Sequence, residues 1–268
     1  MFNVDLSNPV NQRSSLNNGL VGWWHVLPQW NAGGVWRDLR GRSNATLTNG
    51  PVWRTDGLSF DGTNDYASAA IDLSSFDKIT VSFRMYVASF TTADGLALEY
   101  TANFNSKDGF NFNPNDNTGV ISFGYTKAAG TYWLDSFTRP SAAAWHHYVI
   151  TLDRANRVNT ASVDGVSQSV STYFHDATAG GTFANSTLYF SSRAGTSLYG
   201  ACRLNDVRIH GRLLSAAEIK SLYVESLRGS PATLNRVRRS TTYASLDQNL
   251  NLFRGMRGGM QMQGGFVN

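Results

Sequence analysis

Residues 200–224 read GACRLNDVRIHGRLLSAAEIKSLYV. Leu204, Val207 and Ile209 stand among polar neighbours over a run too short for a helix, the pattern of a strand with one face in a core. Leu-Ser-Ala-Ala-Glu-Ile follows at 214–219. Here the Ser215 hydroxyl can accept the amide of Glu218, the Glu218 carboxylate can reach back to the amide of Ser215, and Leu214 can pack on Ile219. A late strand running into a short helix is therefore predicted, and almost nothing else in the chain has a helical period.

Working outward, Ile79 to Val87 alternates most cleanly: the odd positions are apolar, while Thr80, Ser82 and Arg84 point the other way. One buried face and one outward face follow. In 142–170, Trp145, His147, Val149 and Thr151 share one face of a strand. His146, Tyr148, Ile150 and Leu152 share the other, and Asp164-Gly165 makes a two-residue turn. In 57–69, Leu58 and Phe60 alternate into the core, residues 61–65 turn, and Tyr66 opens the partner strand of a hairpin. Runs at 95–134 (LALEY, FNF, VISFGY, TYWL) predict a meander whose loops are suited to carry a binding site. Residues 19–25 and 187–191 supply further strands. Aromatic residues at 12%, 25 glycines and only 16% charged residues suit short strands joined by tight turns.

Four separated motifs, LVGWW at 20–24, SFDGTNDYA at 59–67, WHHYV at 145–149 and NDVRIHGRLLS at 205–215, resemble in order those of the laminin-G-like, concanavalin-A-like family. Asp38, Gly41, Asn44 and Leu47 also match a family loop, although Arg40 stands where Ser is usual. Arg84 and Met85 replace a common Ala and Trp. The resemblance covers about residues 19–226. It implies an all-β fold, a two-sheet antiparallel β-sandwich (jelly roll) with one short C-terminal helix and extended N- and C-terminal arms. The expected organisation is an arm at 1–18, the sandwich at 19–227, and a basic, Gly/Met-rich anchoring arm at 228–268.

Net charge is +4, and its placement says more than its size. Basic and acidic side chains cancel over residues 1–228, whereas residues 229–268 hold five Arg against Asp247 alone. Such a tail contacts nucleic acid or an acidic protein surface, or is merely solvated. Cys202, the lone cysteine, excludes an intramolecular disulfide and a Cys-rich zinc site. No basic region followed by an apolar stretch opens the chain, and no segment is long enough to span a bilayer, so no membrane association is expected.

Candidate sites are few. Asp38 and Asn44 are hard oxygen donors on one loop; with Asp206 they could join a structural Ca²⁺ shell, or they could close Asx turns. Asp61, Asn64 and Asp65 pose the same choice. His146 and His147 are neighbours on a strand, point to opposite faces and cannot grip one ion. Trp30, Trp36 and Trp133 are candidate stacking platforms for a glycan. A glycoside hydrolase needs two carboxylates flanking the scissile bond. The chain has only Glu99, Glu218 and Glu225 as glutamates and lacks the Glu-x-Asp-x-x-Glu strand of related glucanases, so no enzyme is expected and no cofactor is required.

The expected function is a non-catalytic structural or interaction protein on the surface of a larger particle. A phage virion, as a capsid decoration or minor structural protein, fits the absence of a classical secretion signal together with the neutral sandwich and basic tail. Arg236, Arg238 and Arg239, with Phe253, Met256 and Phe266 as apolar anchors, would bind other structural proteins of the capsid or tail, and nucleic acid is not the expected partner. The alternative is a lectin-like module for cell-surface glycans, extracellular or surface-bound by a non-classical route.

Overall fold

The computed structural model describes residues 15–26, 33–101, 108–127 and 130–228. The chain divides into two units, Met1–Ser226 and Leu227–Asn268. In chain order the first strands are β1 (Leu20–Trp24), β2 (Val35–Trp36), β3 (Ala45–Thr48), β4 (Val52–Trp53), β5 (Leu58–Ser59) and β6 (Tyr66–Asp72). Next come β7 (Lys78–Tyr86), β8 (Leu98–Tyr100), β9 (Phe110–Asn113), β10 (Ile121–Lys127) and β11 (Thr131–Phe137). β12 (Trp145–Asp153), β13 (Val158–Val163), β14 (Val166–Ser167), β15 (Ser171–His175), β16 (Asn185–Phe190) and β17 (Arg203–His210) precede helix α1 (Ala216–Arg228).

The strands form two antiparallel sheets. One has the order β14-β13-β12-β7-β17-β5-β4, with β1 also pairing β17; the other runs β15-β11-β10-β9-β8-β16-β6-β3-β2. The expected two-sheet sandwich is therefore the fold. Ile79, Val81, Phe83 and Met85 of β7 and Tyr148, Ile150 and Leu152 of β12 face Leu98, Tyr100, Phe110, Phe112 and Phe123 of the other sheet. Aromatic rings lock the two layers: Phe83 meets Phe112 edge-on at 4.9 Å, and Phe112 meets Tyr148 at 5.4 Å. The predicted meander is present, with β8, β9, β10 and β11 as successive neighbours.

Three local expectations are corrected. Residues 57–69 are not a hairpin, because β5 pairs β17 and β4 in one sheet while β6 pairs β16 and β3 in the other. The 61–65 turn is thus a crossing between layers. Thr80 and Ser82 do not look out to water but are buried. The segment leading into α1 lies over them: Leu214 N donates to Thr80 Oγ1 at 3.0 Å, and Thr80 Oγ1 donates to Arg212 O at 2.8 Å. Finally, residues 15–18 are not a free arm. Leu16 is buried with Val149, Leu214, Ile219 and Leu222, and its carbonyl accepts His210 Nε2 at 2.8 Å.

The helix start behaves as its sequence dictates. Glu218 N donates to Ser215 Oγ at 3.3 Å, and Ser215 N donates to Glu218 Oε2 at 2.9 Å. Arg212 adds two bonds to the same carboxylate at 3.0 and 2.6 Å, which with the Ser215 donors pull the Glu218 carboxyl down to about 2. In β17 the pairing shifts between Asn205 and Arg208, and Asp206 has φ 52°. This bulge carries inward-facing parity from Leu204 to Val207 and Ile209.

Candidate functional site

The Asp38 loop is closed from within. Asp38 Oδ1 accepts the amides of Trp23 and Arg40 at 2.9 Å each, and Oδ2 those of Arg42 and Ser43 at 3.0 Å each. Asn44 Oδ1 accepts the amide of Asp38 at 3.0 Å. Asp206 is buried elsewhere in polar company, accepting Trp23 Nε1 at 2.7 Å and Arg208 Nε and Nη2 at 2.9 and 3.0 Å. These oxygens do not fit a calcium shell, since an ion would have to displace eight donors already at bonding distance. Asp61 likewise accepts the amides of Thr63 and Asn64 at 2.7 and 3.3 Å, and the Thr63 amide leads in holding its carboxyl below the usual range. Asx turns account for both loops.

One of the predicted stacking platforms is corrected. Trp36 has no exposed surface and packs on Phe190 at 5.1 Å in the core, so no sugar reaches it. Trp133 lies flat against His175, ring centroids 3.7 Å apart, with the Arg157 guanidinium 5.2 Å from the same ring. Trp30 lies outside the described residues, as do Arg236, Arg238, Arg239, Phe253, Met256 and Phe266. His146 and His147 do point apart: His146 Nδ1 meets Asp164 Oδ2 at 2.7 Å, whereas His147 is buried 6.1 Å from the Tyr223 ring. Burial depresses His147 to about 4.

A concave site forms instead at one end of the sandwich, where the β5–β6 crossing, the loop after β7 and the segment entering β17 converge. Two clefts meet there with Ala201 in the wall of each. One, of about 440 Å³, is lined by Arg54, Ser59, Phe60, Tyr86, Cys202 and Arg203. The other, of about 400 Å³, is lined by Asp61, Ser89, Thr91, Asp94, Asn115 and Tyr199. Both sizes fall within the range of roughly 300–1,000 Å³ usual for small-ligand sites.

The walls are rigid for identifiable reasons. Arg139 donates to three carbonyls, Pro114 at 3.0 Å, Thr91 at 2.9 Å and Asp116 at 2.8 Å, which ties the loop after β7 to the turn after β9. Thr91 N donates to Asn115 Oδ1 at 3.1 Å, and Asn113 Nδ2 to Asp94 Oδ1 at 2.9 Å. Between β16 and β17, Ser191, Ala194 and Leu198 all have positive φ, at 68°, 54° and 49°. This left-handed backbone is paid for by surrounding bonds, among them Tyr199 Oη to Gly195 O at 2.7 Å and Leu96 N to Leu198 O at 2.9 Å. Strain held in this way concentrates where a loop must present a fixed surface. Apart from Asp61, which drew notice as a possible cation ligand, the polar cleft residues escaped the sequence reading because they are ordinary residues at strand ends. Their one signal is that each follows or precedes a recognisable strand, and strand order alone tells which ends coincide.

Comparison with known proteins agrees with the fold. The family model described as the concanavalin A-like lectin/glucanases superfamily matches residues 61–220. No curated protein matches the chain. Among solved structures, Trypanosoma rangeli sialidase is similar with a TM-score of 0.55 and 17% identity, over 76% of this chain and 32% of the sialidase. The receptor binding domain of botulinum neurotoxin D is similar with a TM-score of 0.62 and 13% identity, over 79% of this chain and 54% of that one. The chain thus spans about a third of the sialidase and about half of the toxin chain, and identities this low speak to the fold alone.

Proposed function

This chain belongs to the concanavalin A-like lectin/glucanases superfamily, and on that footing we propose that it is a non-catalytic binding module that takes a saccharide in the paired end clefts. The observation that carries the reading is the lining: Tyr86 and Tyr199 beside hydroxyls of Ser59, Ser89 and Thr91, the amide of Asn115 and the carboxylates of Asp61 and Asp94. Aromatic side chains among hydroxyl, amide and carboxylate groups are what a polyhydroxylated ring needs.

Hydrolysis in the clefts is disfavoured by the state of Asp61 and of the three glutamates. A general acid must hold its proton near neutral pH, which requires a raised pKa. Asp61 is shifted the other way by its loop amides. Glu99 has no exposed surface and pairs with Arg193 at 3.3 Å, Glu218 is consumed by the helix cap, and Glu225 accepts Arg208 Nη2 at 3.2 Å. A glycan array with the full chain tests the proposal. Selective retention that is lost in Ala201→Trp, which fills the wall common to both clefts, is expected; an empty array, or retention indifferent to Ala201→Trp, would overturn it.

A second reading concerns what carries the module. The confinement of all net positive charge to residues 229–268 favours display on a particle, such as a phage virion, with that segment as the anchor. Co-sedimentation with the native particle tests this: the full chain should pellet and a chain ending at 228 should not. Full retention of the shortened chain would refute the anchor.

A further inference from the structure

We propose that the end clefts select saccharides bearing an anionic substituent, with the acidic group held by Arg54 and Arg203 and the hydroxyls of the same molecule turned to Asp61 and Asp94. The inference rests on the saccharide reading and narrows its ligand class.

The argument is a count of donors and acceptors. In the cleft of Arg54, Ser59, Tyr86 and Arg203, the side chains of Arg54 and Ser59 and the Tyr86 hydroxyl have no hydrogen-bond partner among the described residues. Arg203 spends Nη1 on Asp56 Oδ2 at 2.9 Å, and its guanidinium lies 4.0 Å from the centre of the Tyr86 ring. Stacking fixes the plane of that fork and leaves its remaining N–H groups for a bidentate acceptor. Asp56 also accepts Trp145 Nε1 at 3.0 Å, so it is shared, and it does not line the cleft. No carboxylate of the described residues does. The Cys202 thiol, raised to about 12 by burial, adds no negative charge. With Arg54 unpaired among the described residues, Arg203 only partly engaged by Asp56 and the Ser59 and Tyr86 hydroxyls able to donate, the wall suits a ligand that supplies acceptors, and two arginines favour a charged one.

Across Ala201 the polarity reverses. Asp61 and Asp94 are acceptors, joined by the hydroxyls of Ser89 and Thr91. A uniformly anionic polymer such as nucleic acid would meet like charge there, and a neutral sugar would leave the arginines unused. A saccharide with one acidic group and free hydroxyls satisfies both halves. Carboxylate and sulfate share this chemistry, and the assay separates them.

The test is an array of neutral, carboxylated and sulfated glycans probed with the full chain, with Arg54→Ala and Arg54→Glu, and with Arg42→Glu as a control that makes the same charge change on the Asp38 loop. Arg54 is exposed and has no side-chain hydrogen-bond partner among the described residues, so its variants should fold, which an unchanged thermal melt verifies. Retention of acidic glycans is expected, weakened roughly ten- to a hundred-fold by Arg54→Ala, as for loss of a charged hydrogen bond. Arg54→Glu should abolish it, added salt should weaken it, and Arg42→Glu should leave it intact. Whichever acidic class remains names the anion. Neutral glycans bound in preference to acidic ones would overturn the inference and leave the saccharide reading standing, as would acidic glycans retained equally by Arg54→Glu. No retention of any glycan would overturn both.

Discussion

Replacing Arg208 by Met should be among the most damaging single changes in this protein, and its pH dependence should carry a particular sign. Asp206 is 3% exposed and Arg208 likewise, and the two meet through Nε and Nη2 at 2.9 and 3.0 Å on the face of β17 turned away from the core. Burial by itself would raise the Asp206 carboxyl. The Arg208 guanidinium, with His25 beside it, nevertheless holds it well below the usual carboxylate range. Because its folded pKa is depressed, Asp206 contributes stability that is present above pH ~4 and lost as pH falls further. Arg208→Met leaves that carboxylate buried with Trp23 Nε1 as its main donor, a loss of about 3–5 kcal/mol. With the guanidinium gone, burial dominates and the folded pKa rises above the unfolded one. The deficit should then shrink between pH 7 and pH 5, because the variant relieves itself by taking up a proton. Urea denaturation at the two pH values measures both quantities. Adding Asp206→Asn to Arg208→Met should restore much of the loss, since Asn tolerates φ 52° and still offers Trp23 an acceptor. A cost under ~1 kcal/mol at pH 7, or a deficit that grows on acidification, would refute this account.

Further expectations follow from the same interface and from the sheets. His147 and His210 are each depressed to about 4, burial being the leading cause. Each therefore binds its proton more readily unfolded than folded, so stability should be full above pH ~6.5 and fall by on the order of 3 kcal/mol per histidine toward pH 4; His147→Phe should flatten that slope in thermal melts. Ser215→Ala should cost ~1 kcal/mol by removing the N-cap acceptor, read as a shift in urea midpoint without change in slope. Gly124 has φ 153°, and a Cβ there would lie 2.1 Å from Trp133 O, so Gly124→Ala should accumulate in the insoluble fraction; a soluble variant with an unchanged melt would contradict the β10–β11 register.

Local chemistry was legible along the chain wherever one residue sees its own neighbours. The capping box at 215–218, the alternation of β7 and the meander each follow from spacing that survives into the structure, because the bonds involved span few residues or simply repeat. The bulge in β17 was legible too in principle, since the inward apolar positions pass from even at Leu204 to odd at Val207 and Ile209. Hidden from sequence was anything that depends on which layer covers which. Thr80 and Ser82 look solvated until the Arg212–Leu214 segment lies over them. Trp36 looks like a platform until Phe190 closes on it, and residues 57–69 look like a hairpin until their two strands join different sheets.

The sequence by itself determined an all-β class, the late strand and the one helix, because alternation, turns and caps are written at short range; the sandwich was what the resemblance of its motifs implied. Only the tertiary structure decided the candidate site. Arg54, Tyr86, Asp94, Tyr199 and Arg203 are scattered over 150 residues and meet because the two sheets bring four separate strand ends to one end of the sandwich. The pairing partners and crossings that do this are long-range choices, set by how the two apolar faces pack on each other, and no local pattern records them.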